Sequence, residues 1–264
     1  MKNDPYKKAG VDIQAGNDLV DKIKKDVAST FDKNVLGGIG SFSGFYSLPK
    51  GFKNPVLVAC TDGVGTKVAL AQKNSSLATI GQDLVAMCVN DMVTSGAHPL
   101  FFLDYFASSK LNVAETATVI KGIAKACKKT NCSLIGGETA EMPNHYIGKN
   151  FDLAGFSVGI VEKKLIIDSS KVRKNNIIVG IESSGAHSNG YSLINKLIKE
   201  SKLSKSEKMK LIKLALKPTH LYTNVILDLV KKVKVKSIAN ITGGGLTENI
   251  PRSIPKTLSL SLIH

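Results

Sequence analysis

Five acidic side chains stand beside glycine turns or on a helix that follows one of them. They are Asp62, Asp83, Asp91, Glu138 and Glu141. Carboxylate oxygens are the ligands that Mg²⁺ prefers, and glycines allow a bound phosphate to approach the backbone. The pattern therefore indicates a site for Mg²⁺ with phosphate groups. For any single aspartate, a helix cap or a turn is the alternative interpretation.

The segment TDGVGTK follows a buried strand predicted at residues 55–60. Asp62 can reach a metal ion there, and the charge of Lys67 suits a β- or γ-phosphate. The spacing differs from GxxxxGK[ST], so the segment is not a P-loop. We predict ligand contacts from this segment at Gly63, Gly65, Thr66 and Lys67.

A helix predicted at residues 83–95 presents further polar side chains. With 3.6 residues per turn, Asp83 and Asn90 lie on nearly one face, and Asp91 is turned about 80° away. We predict that Asp83 and Asn90 contact the ligand and that Asp91 faces the metal. The alternative is that one of the two aspartates acts only as a helix cap.

The segment GGETAEMP places Glu138 after two glycines at the end of a predicted strand. In α/β proteins ligands gather at such strand ends. We predict a metal contact from Glu138 and a ligand contact from Gly137. Glu141, three residues beyond Glu138, is expected to face the same side and to contact the ligand. A solvated turn is the alternative.

Two loops in the second half of the chain lead into predicted helices. The first, SSGAHSNGYSL, predicts ligand contacts from Ser188 and Asn189, with His187 as an acid or base, because helix N-termini favour anions. GAHSNG is not GxSxG, which argues against a serine-hydrolase elbow. The second, ITGGGLTENIPR, predicts a contact at Gly244. A capped helix start and a structural glycine turn are the respective alternatives.

A glycine-rich loop, GGIGSFSG, precedes all of these segments. It has four glycines among eight residues. The predicted strand that a dinucleotide fingerprint needs does not precede it, so we discount nicotinamide binding. We predict instead a mobile cover over phosphates, with contacts at Gly37, Gly38 and Gly40.

Predicted strands and helices interleave along the chain, which is typical of an α/β (α+β) fold with mixed sheets packed against helices. The strands are predicted at 55–60, 100–107, 132–137 and 153–161, and the helices at 17–27, 83–95, 113–128 and 219–232. A polar, lysine-rich run after residue 162 indicates a boundary near residue 167, hence domains at 1–167 and 168–264. Further strands are predicted at 177–181, at 237–241 and in TLSLSLI near the end.

Composition limits the classes of partner. The formal net charge is +15, yet only Arg173 and Arg252 are arginines among 36 basic residues. Arginine is the residue that most often recognises bases and phosphates by paired hydrogen bonds. Because arginine is scarce here, nucleic-acid recognition is not expected. The chain has no run of ~20 apolar residues and no signal-peptide core, so we expect no membrane partner and a cytoplasmic location. The four cysteines lack CxxC spacing and are interpreted as reduced core residues.

Eight segments together resemble the aminoimidazole ribonucleotide synthetase family. They are YKKAGVDIQAGN, GGIGSF, TDGVGTK, IGQDLVAMCVNDMVTSGAHPLFFLDYFA, GGETAEMP, DLAGFSVGIVE, GAHSNGYSL and ITGGGLTENIPR. They occur in the family's order from residue 6 to residue 252, which is nearly the whole chain. The run IGQDLVAMCVNDMV together with GGETAEMP is the most specific part of the resemblance.

The resemblance implies an ATP-dependent ring closure of formylglycinamidine ribonucleotide with Mg²⁺. It also implies a homodimer formed through the N-terminal sheet, with ATP in a cleft between loops of both domains. Carried over residue by residue, the family's roles are metal binding by Asp62, Asp91 and Glu138, phosphate contact by Lys67, cover by Gly37 to Gly40, and ligand contact by His187, Ser188 and Asn189.

Family members continue past the segment PRSIP, so we expect the C-terminal domain here to be incomplete. Two alternatives to the cyclising enzyme follow. One is a related ATP-dependent kinase or synthetase with another substrate. The other is an inactive dimer that keeps only the nucleotide-binding fold.

Overall fold

The structure is a computed structural model that describes residues 5–261. The helices are α1 (Pro5–Lys8), α2 (Ile13–Ala28), α3 (Lys67–Lys73), α4 (Ile80–Val93), α5 (Val113–Lys129), α6 (Tyr191–Glu200), α7 (Lys205–Ala215), α8 (Thr223–Lys232) and α9 (Gly245–Asn249). The strands are β1 (Val35–Leu36), β2 (Phe45–Tyr46), β3 (Pro55–Gly63), β4 (His98–Ser108), β5 (Ser133–Glu141) and β6 (Phe151–Glu162).

The central sheet has the strand order β3-β6-β4-β5. β4 and β5 are parallel and are joined by α5, whereas β6 is antiparallel to both β3 and β4. Helices α2, α4 and α5 cover one face of this sheet. The predicted mixed sheet packed against helices is confirmed, as are the four strands predicted in the first half of the chain.

One row of neighbouring Cα positions crosses the whole sheet. Asp62 on β3 pairs with Gly155 on β6, which pairs with Asp104 on β4, which pairs with Gly137 on β5. Side chains on paired residues point to the same face, and the next residue along each strand points to the other. This row faces the helices, so Glu138 belongs to the opposite face.

Helix α4 lies at the centre of the molecule. Twelve of its fourteen residues are buried, because the helix packs against the sheet on one side and against α5 on another. A helix that is apolar nearly all round is typical of such a position. It begins at Ile80, three residues before the predicted start, so Asp83 is a buried helical residue and not its cap.

The second half of the chain is helical where it is regular. Between residue 163 and residue 261 no segment pairs as a strand. The strands predicted at 177–181 and 237–241 are therefore wrong, and so is TLSLSLI as far as it is described, since its last residues lie outside the described range. Strand propensity needs a neighbouring ladder to satisfy the backbone, and the described chain supplies none there.

Helix α8 begins at Thr223, four residues after the predicted start. Residues 219–222 are instead held against α4, because the Thr219 and Tyr222 amides donate hydrogen bonds to the side chains of Asp83 and Asn90. These tertiary contacts replace the first helical turn. None of the helices described between residues 5 and 261 has the length and apolar character needed to cross a membrane.

Candidate active site

Asp62 and Asp91 lie together at the end of β3. Asp62 is half-buried, and its pKa is raised by burial and by the neighbouring charge of Asp91. One Asp62 oxygen accepts a hydrogen bond from the Gly63 amide at 2.7 Å, and one Asp91 oxygen accepts from the Asn240 side chain at 2.7 Å. Each carboxylate has a second oxygen besides the one in its hydrogen bond. The two carboxylates form an anionic pair that attracts a cation.

The third predicted metal ligand is elsewhere. Glu138 is exposed on the opposite sheet face, and β6 and β4 separate its strand from Asp62. At a strand spacing of ~4.8 Å, three spacings put the two residues about 14 Å apart. Within residues 5–261 no three His, Cys, Asp or Glu side chains converge as a metal-binding group. The role of Glu138 stays a prediction.

Glu141 has a structural position. One of its oxygens accepts a hydrogen bond from the Leu111 amide at 2.7 Å, and the other accepts from the Asp12 amide. The carboxylate thus joins the start of α2 to the loop before α5. The expectation that Glu141 faces the same side as Glu138 is wrong, because strand residues three apart point to opposite faces.

Lys67 is fully buried, with a side-chain exposure of 0%. Its Nζ donates to the Asp83 carboxylate, the His187 carbonyl and the Lys217 carbonyl, each at 2.8 Å. The Tyr191 ring lies over it, 5.5 Å from Nζ to the ring centre. An ammonium group has three N–H donors, so all are engaged here. Its predicted contact with phosphate stays a prediction.

The face of α4 that carries these polar residues meets the second half of the chain. Asp83 accepts from the Thr219 amide at 2.8 Å and from its hydroxyl at 2.7 Å. Asn90 donates to the His220 carbonyl at 2.8 Å and accepts from the Tyr222 amide at 3.0 Å. We call this contact, with the Asp91–Asn240 hydrogen bond, the α4 seam. The predicted common face of Asp83 and Asn90 is confirmed, and both side chains hold the two halves together.

The turn at His187, Ser188 and Asn189 borders the α4 seam. His187 adopts a left-handed backbone with φ of 54°, and its Nε2 accepts from the Ser184 amide at 3.1 Å. Burial, His220 and Lys67 lower the pKa of His187, so its imidazole is neutral near pH 7. Ser188 is buried and its hydroxyl lies 3.1 Å from that of Thr219. The turn therefore presents a neutral histidine close to the start of α6.

The predicted glycine turns differ in their surroundings. Gly37 and Gly40 adopt φ of 109° and 101° in the exposed loop between β1 and β2, with Gly38 between them. Gly244, with φ of 88°, precedes α9, which has only five residues. Gly65 also has a positive φ of 66°, and Thr66 precedes α3 with its hydroxyl 3.4 Å from that of Ser192. The positive φ angles of these glycines lie in a region of backbone conformation that glycine tolerates best.

Sequence reasoning missed Asp104, which lies within the apolar run LFFLDYFA. Its carboxyl group is buried against Gly137, where an added Cβ would collide with the Asp104 side chain. Burial raises the pKa of Asp104 to about 7. The only sequence signal was an acidic residue in an otherwise apolar strand. Gly137 thus provides room for this carboxyl group, whatever its role toward a ligand.

Replacing Asp104 with asparagine is expected to stabilise the protein at pH 8 by up to about 4 kcal/mol, roughly three pKa units. The folded-state pKa of about 7 lies above the ordinary value of 3.8, so wild-type stability falls as pH rises from about 4 to 7. The variant lacks this loss, and the difference should vanish near pH 4. Urea unfolding of the wild type and the variant at pH 4 and pH 8 measures the difference in unfolding free energy. Asp21→Asn, at an exposed position of α2, is the control. Equal stabilisation at both pH values would contradict the raised pKa of Asp104.

Two matches to a protein family show the class of protein to which this chain belongs. The family AIR synthase related protein matches with its N-terminal domain over residues 51–161 and with its C-terminal domain over residues 173–262. Two solved structures share the fold. Thiamine-monophosphate kinase from Stenotrophomonas maltophilia K279a has a TM-score of 0.52 at 18% identity, over 80% of this chain and 63% of that one. Hydrogenase maturation protein HypE in complex with ATP has a TM-score of 0.55 at 14% identity, over 85% of this chain and 60% of that one.

A relative with much higher sequence identity identifies the family within that class. The phosphoribosylformylglycinamidine cyclo-ligase of Rippkaea orientalis (strain PCC 8801 / RF-1) is 49% identical over 265 aligned residues, which cover 98% of this chain and 77% of the relative. The chain belongs to the family of phosphoribosylformylglycinamidine cyclo-ligases, which are aminoimidazole ribonucleotide synthetases. The resemblance inferred from the sequence motifs is confirmed.

Proposed function

We propose that this chain is an ATP-dependent cyclo-ligase of purine biosynthesis, which converts formylglycinamidine ribonucleotide to aminoimidazole ribonucleotide, ADP and phosphate. The observation that carries the proposal is the 49% identity to the Rippkaea enzyme across 98% of this chain. Such continuity favours the cyclo-ligase over a related kinase with another substrate and over an inactive remnant. HypE, which shares this fold, was solved in complex with ATP, and this supports the proposal that the present chain binds ATP.

The chemistry begins with transfer of the γ-phosphoryl group to the formamide oxygen of the substrate. An O–P bond forms as the bond to ADP breaks, which turns a poor leaving oxygen into a good one. The amidine nitrogen then attacks the same carbon, loses a proton, and phosphate leaves as the ring closes. Positioning and charge stabilisation supply most of the catalysis in such transfers. The neutral His187 is the proposed acceptor of the proton, at Nε2, once that nitrogen releases the Ser184 amide.

Mg²⁺ is part of the proposal, with Asp62 and Asp91 as its ligands. The two carboxylates lie close enough for the charge of Asp91 to raise the pKa of Asp62, and Mg²⁺ is commonly held by one or two carboxylates together with substrate phosphates. The ion would neutralise charge that develops on the transferred phosphoryl group. Glu138 can join the same ion only from a second copy of the chain, given its place on the opposite sheet face.

A homodimer through the outer face of the sheet is likewise proposed. This face, opposite the helices, exposes 57% of Leu57 on β3 and 45% of Phe156 on β6. On the next strand, β4, Leu103 pairs with Phe156 and Phe101 pairs with Val158. Large exposed apolar patches on soluble proteins mark interaction surfaces. A second copy of the chain is the proposed occupant of this surface.

We also propose that the protein is located in the cytoplasm, where ATP and Mg²⁺ are available.

The proposed dimer predicts that Leu57→Asp gives a monomer, because a charge placed within an apolar contact must be desolvated without a partner. Leu197→Asp is a matched control, since that leucine on α6 is also 57% exposed. Sedimentation equilibrium measures both variants. Loss of the dimer in both, or in neither, would contradict the proposed surface.

The function is tested by measuring phosphate release from ATP with Mg²⁺, with and without formylglycinamidine ribonucleotide. Release should depend on that substrate, and aminoimidazole ribonucleotide should form in equal amount. Thiamine monophosphate offered in place of the substrate serves as a control for the kinase alternative. ATP binding without substrate-dependent release would refute the proposal and favour the inactive dimer.

A further inference from the structure

We propose that Lys67 is a positioning residue, a tether that fixes the His187–Asn189 turn against the Asp62 end of the sheet and does not contact the phosphates of ATP. The inference rests on the proposed function for its catalytic consequence. It departs from the role that the TDGVGTK motif suggested for this lysine.

The ammonium group of Lys67 has all three of its hydrogen-bond donors engaged. The three partners of Lys67 Nζ are Asp83, the His187 carbonyl and the Lys217 carbonyl, all at 2.8 Å. The side chain is 0% exposed. A phosphate could reach Nζ only after one of these hydrogen bonds broke and the α4 seam opened.

The tether joins the loop after β3 to the turn at His187. Lys67 is the first residue of α3 and lies five residues after Asp62. The same loop is held to α6 through the Thr66 carbonyl, which accepts from the Asn195 side chain at 3.4 Å. The Lys67 side chain donates a hydrogen bond to the carbonyl of His187. The positive φ of His187 is unusual for a residue with a side chain. The lysine thus couples a metal-binding turn to a ligand-binding turn.

Asp83 is the charged partner of Lys67 and is equally buried. Its Oδ1 accepts from Lys67 and twice from Thr219, whereas its Oδ2 is buried without a hydrogen-bond partner among the described residues. Burial is the main influence on Lys67 and lowers its pKa, and Asp83 opposes this effect. Because a buried ion pair loses hydration on folding, it is weak evidence for stability. Fixing one arrangement of the two halves is a better account of it.

The double variant Lys67→Met with Asp83→Asn tests the tether. It removes both charges, so no buried charge is left unpaired, and the amide oxygen introduced by Asp83→Asn still accepts from Thr219. We expect amides of residues 185–190 to exchange hydrogen about tenfold faster or more. We expect kcat to fall about tenfold to a hundredfold, as misplacement of a catalytic group does, while the Kd of Mg·ATP changes by less than about threefold. Lys73→Met, which replaces an exposed lysine on the same helix, is the control and should change none of these.

A loss of ATP affinity of roughly tenfold to a hundredfold with unchanged exchange would overturn the tether, because that pattern marks a lost charged hydrogen bond to phosphate. Unchanged exchange and unchanged kcat would also overturn it. If the wild-type protein shows no substrate-dependent turnover, the proposed function fails, and the exchange measurement still decides the tether.

A measurement on the wild-type protein covers the case in which the double variant does not fold. Amine-modifying reagent should label Lys67 slowly, and equally so with and without Mg·ATP, while it labels Lys73 readily. Fast labelling of Lys67 that Mg·ATP suppresses would assign the lysine to the phosphates instead.

Discussion

Asp91→Asn is expected to lower substrate-dependent phosphate release by about a hundredfold or more while leaving the fold intact. Asp91 is exposed at the end of α4, and the one hydrogen bond of its side chain inside the described chain, from the Asn240 side chain, can be kept by the amide oxygen of asparagine. What is lost is the charge. A metal ion stabilises transition-state charge by several kcal/mol, and each carboxylate contributes to holding that ion where the phosphoryl group is transferred.

The measurement is the initial rate of phosphate release over a range of Mg²⁺ concentrations. Part of the lost rate should return at high Mg²⁺ if the substitution weakens metal binding and Asp62 remains in place. Asp228→Asn is the matched control, because Asp228 is also an exposed helical aspartate whose side chain accepts one hydrogen bond, from Lys231. A rate and a Mg²⁺ dependence that stay at the wild-type level in Asp91→Asn would remove Asp91 from the metal site.

The first half of the fold could be predicted because its patterns are local. The run PVLVAC, the helical spacing after Asp83 and the strand LFFLDYFA each belong to one continuous element. The predicted burial of PVLVAC is wrong, because β3 is an edge strand that alternates exposed and half-buried residues. Spacing on α4 also predicted correctly that Asp83 and Asn90 share a face. The sequence could not say what that face meets, since the partners at Thr219 and His220 are more than 100 residues away.

The site was harder to predict than the fold for the same reason. Lys67 and Asp83 have residue types that suit a phosphate or a metal, and only the three-dimensional structure reveals that they bind each other. Glu138 and Asp62 both follow or precede glycines and were expected at strand ends, but β5 continues past Glu138 to Glu141. Strand order and strand parity put the two residues on opposite faces. The apolar runs at 177–181 and 237–241 have strand propensity, and propensity does not decide whether a neighbouring strand is present.

Gly81→Ala is expected to destabilise the protein by about 3 kcal/mol, the upper end of the range for an overpacked core. Gly81 lies in α4 where the helix crosses α5. An added Cβ would collide with backbone atoms of Ile123 and Val119 and lie 2.5 Å from the Gly122 carbonyl carbon. Backbone atoms cannot turn away as a side chain can, so the two helices would have to separate and leave the sheet poorly covered.

Gly16→Ala provides the matched comparison, because Gly16 is also within a helix, α2, and an added Cβ would meet no atom within 4 Å. There the substitution should stabilise the protein by roughly 0.5–1 kcal/mol, since alanine loses less backbone freedom on folding than glycine. Urea unfolding midpoints of both variants measure the contrast. Similar effects in the two helices would mean that propensity decides both sites and that the close approach of α4 and α5 is not rigid. Opposite effects would establish that the absence of a side chain at Gly81 lets α4 reach the centre of the molecule, where it carries Asp83, Asn90 and Asp91 to the second half of the chain.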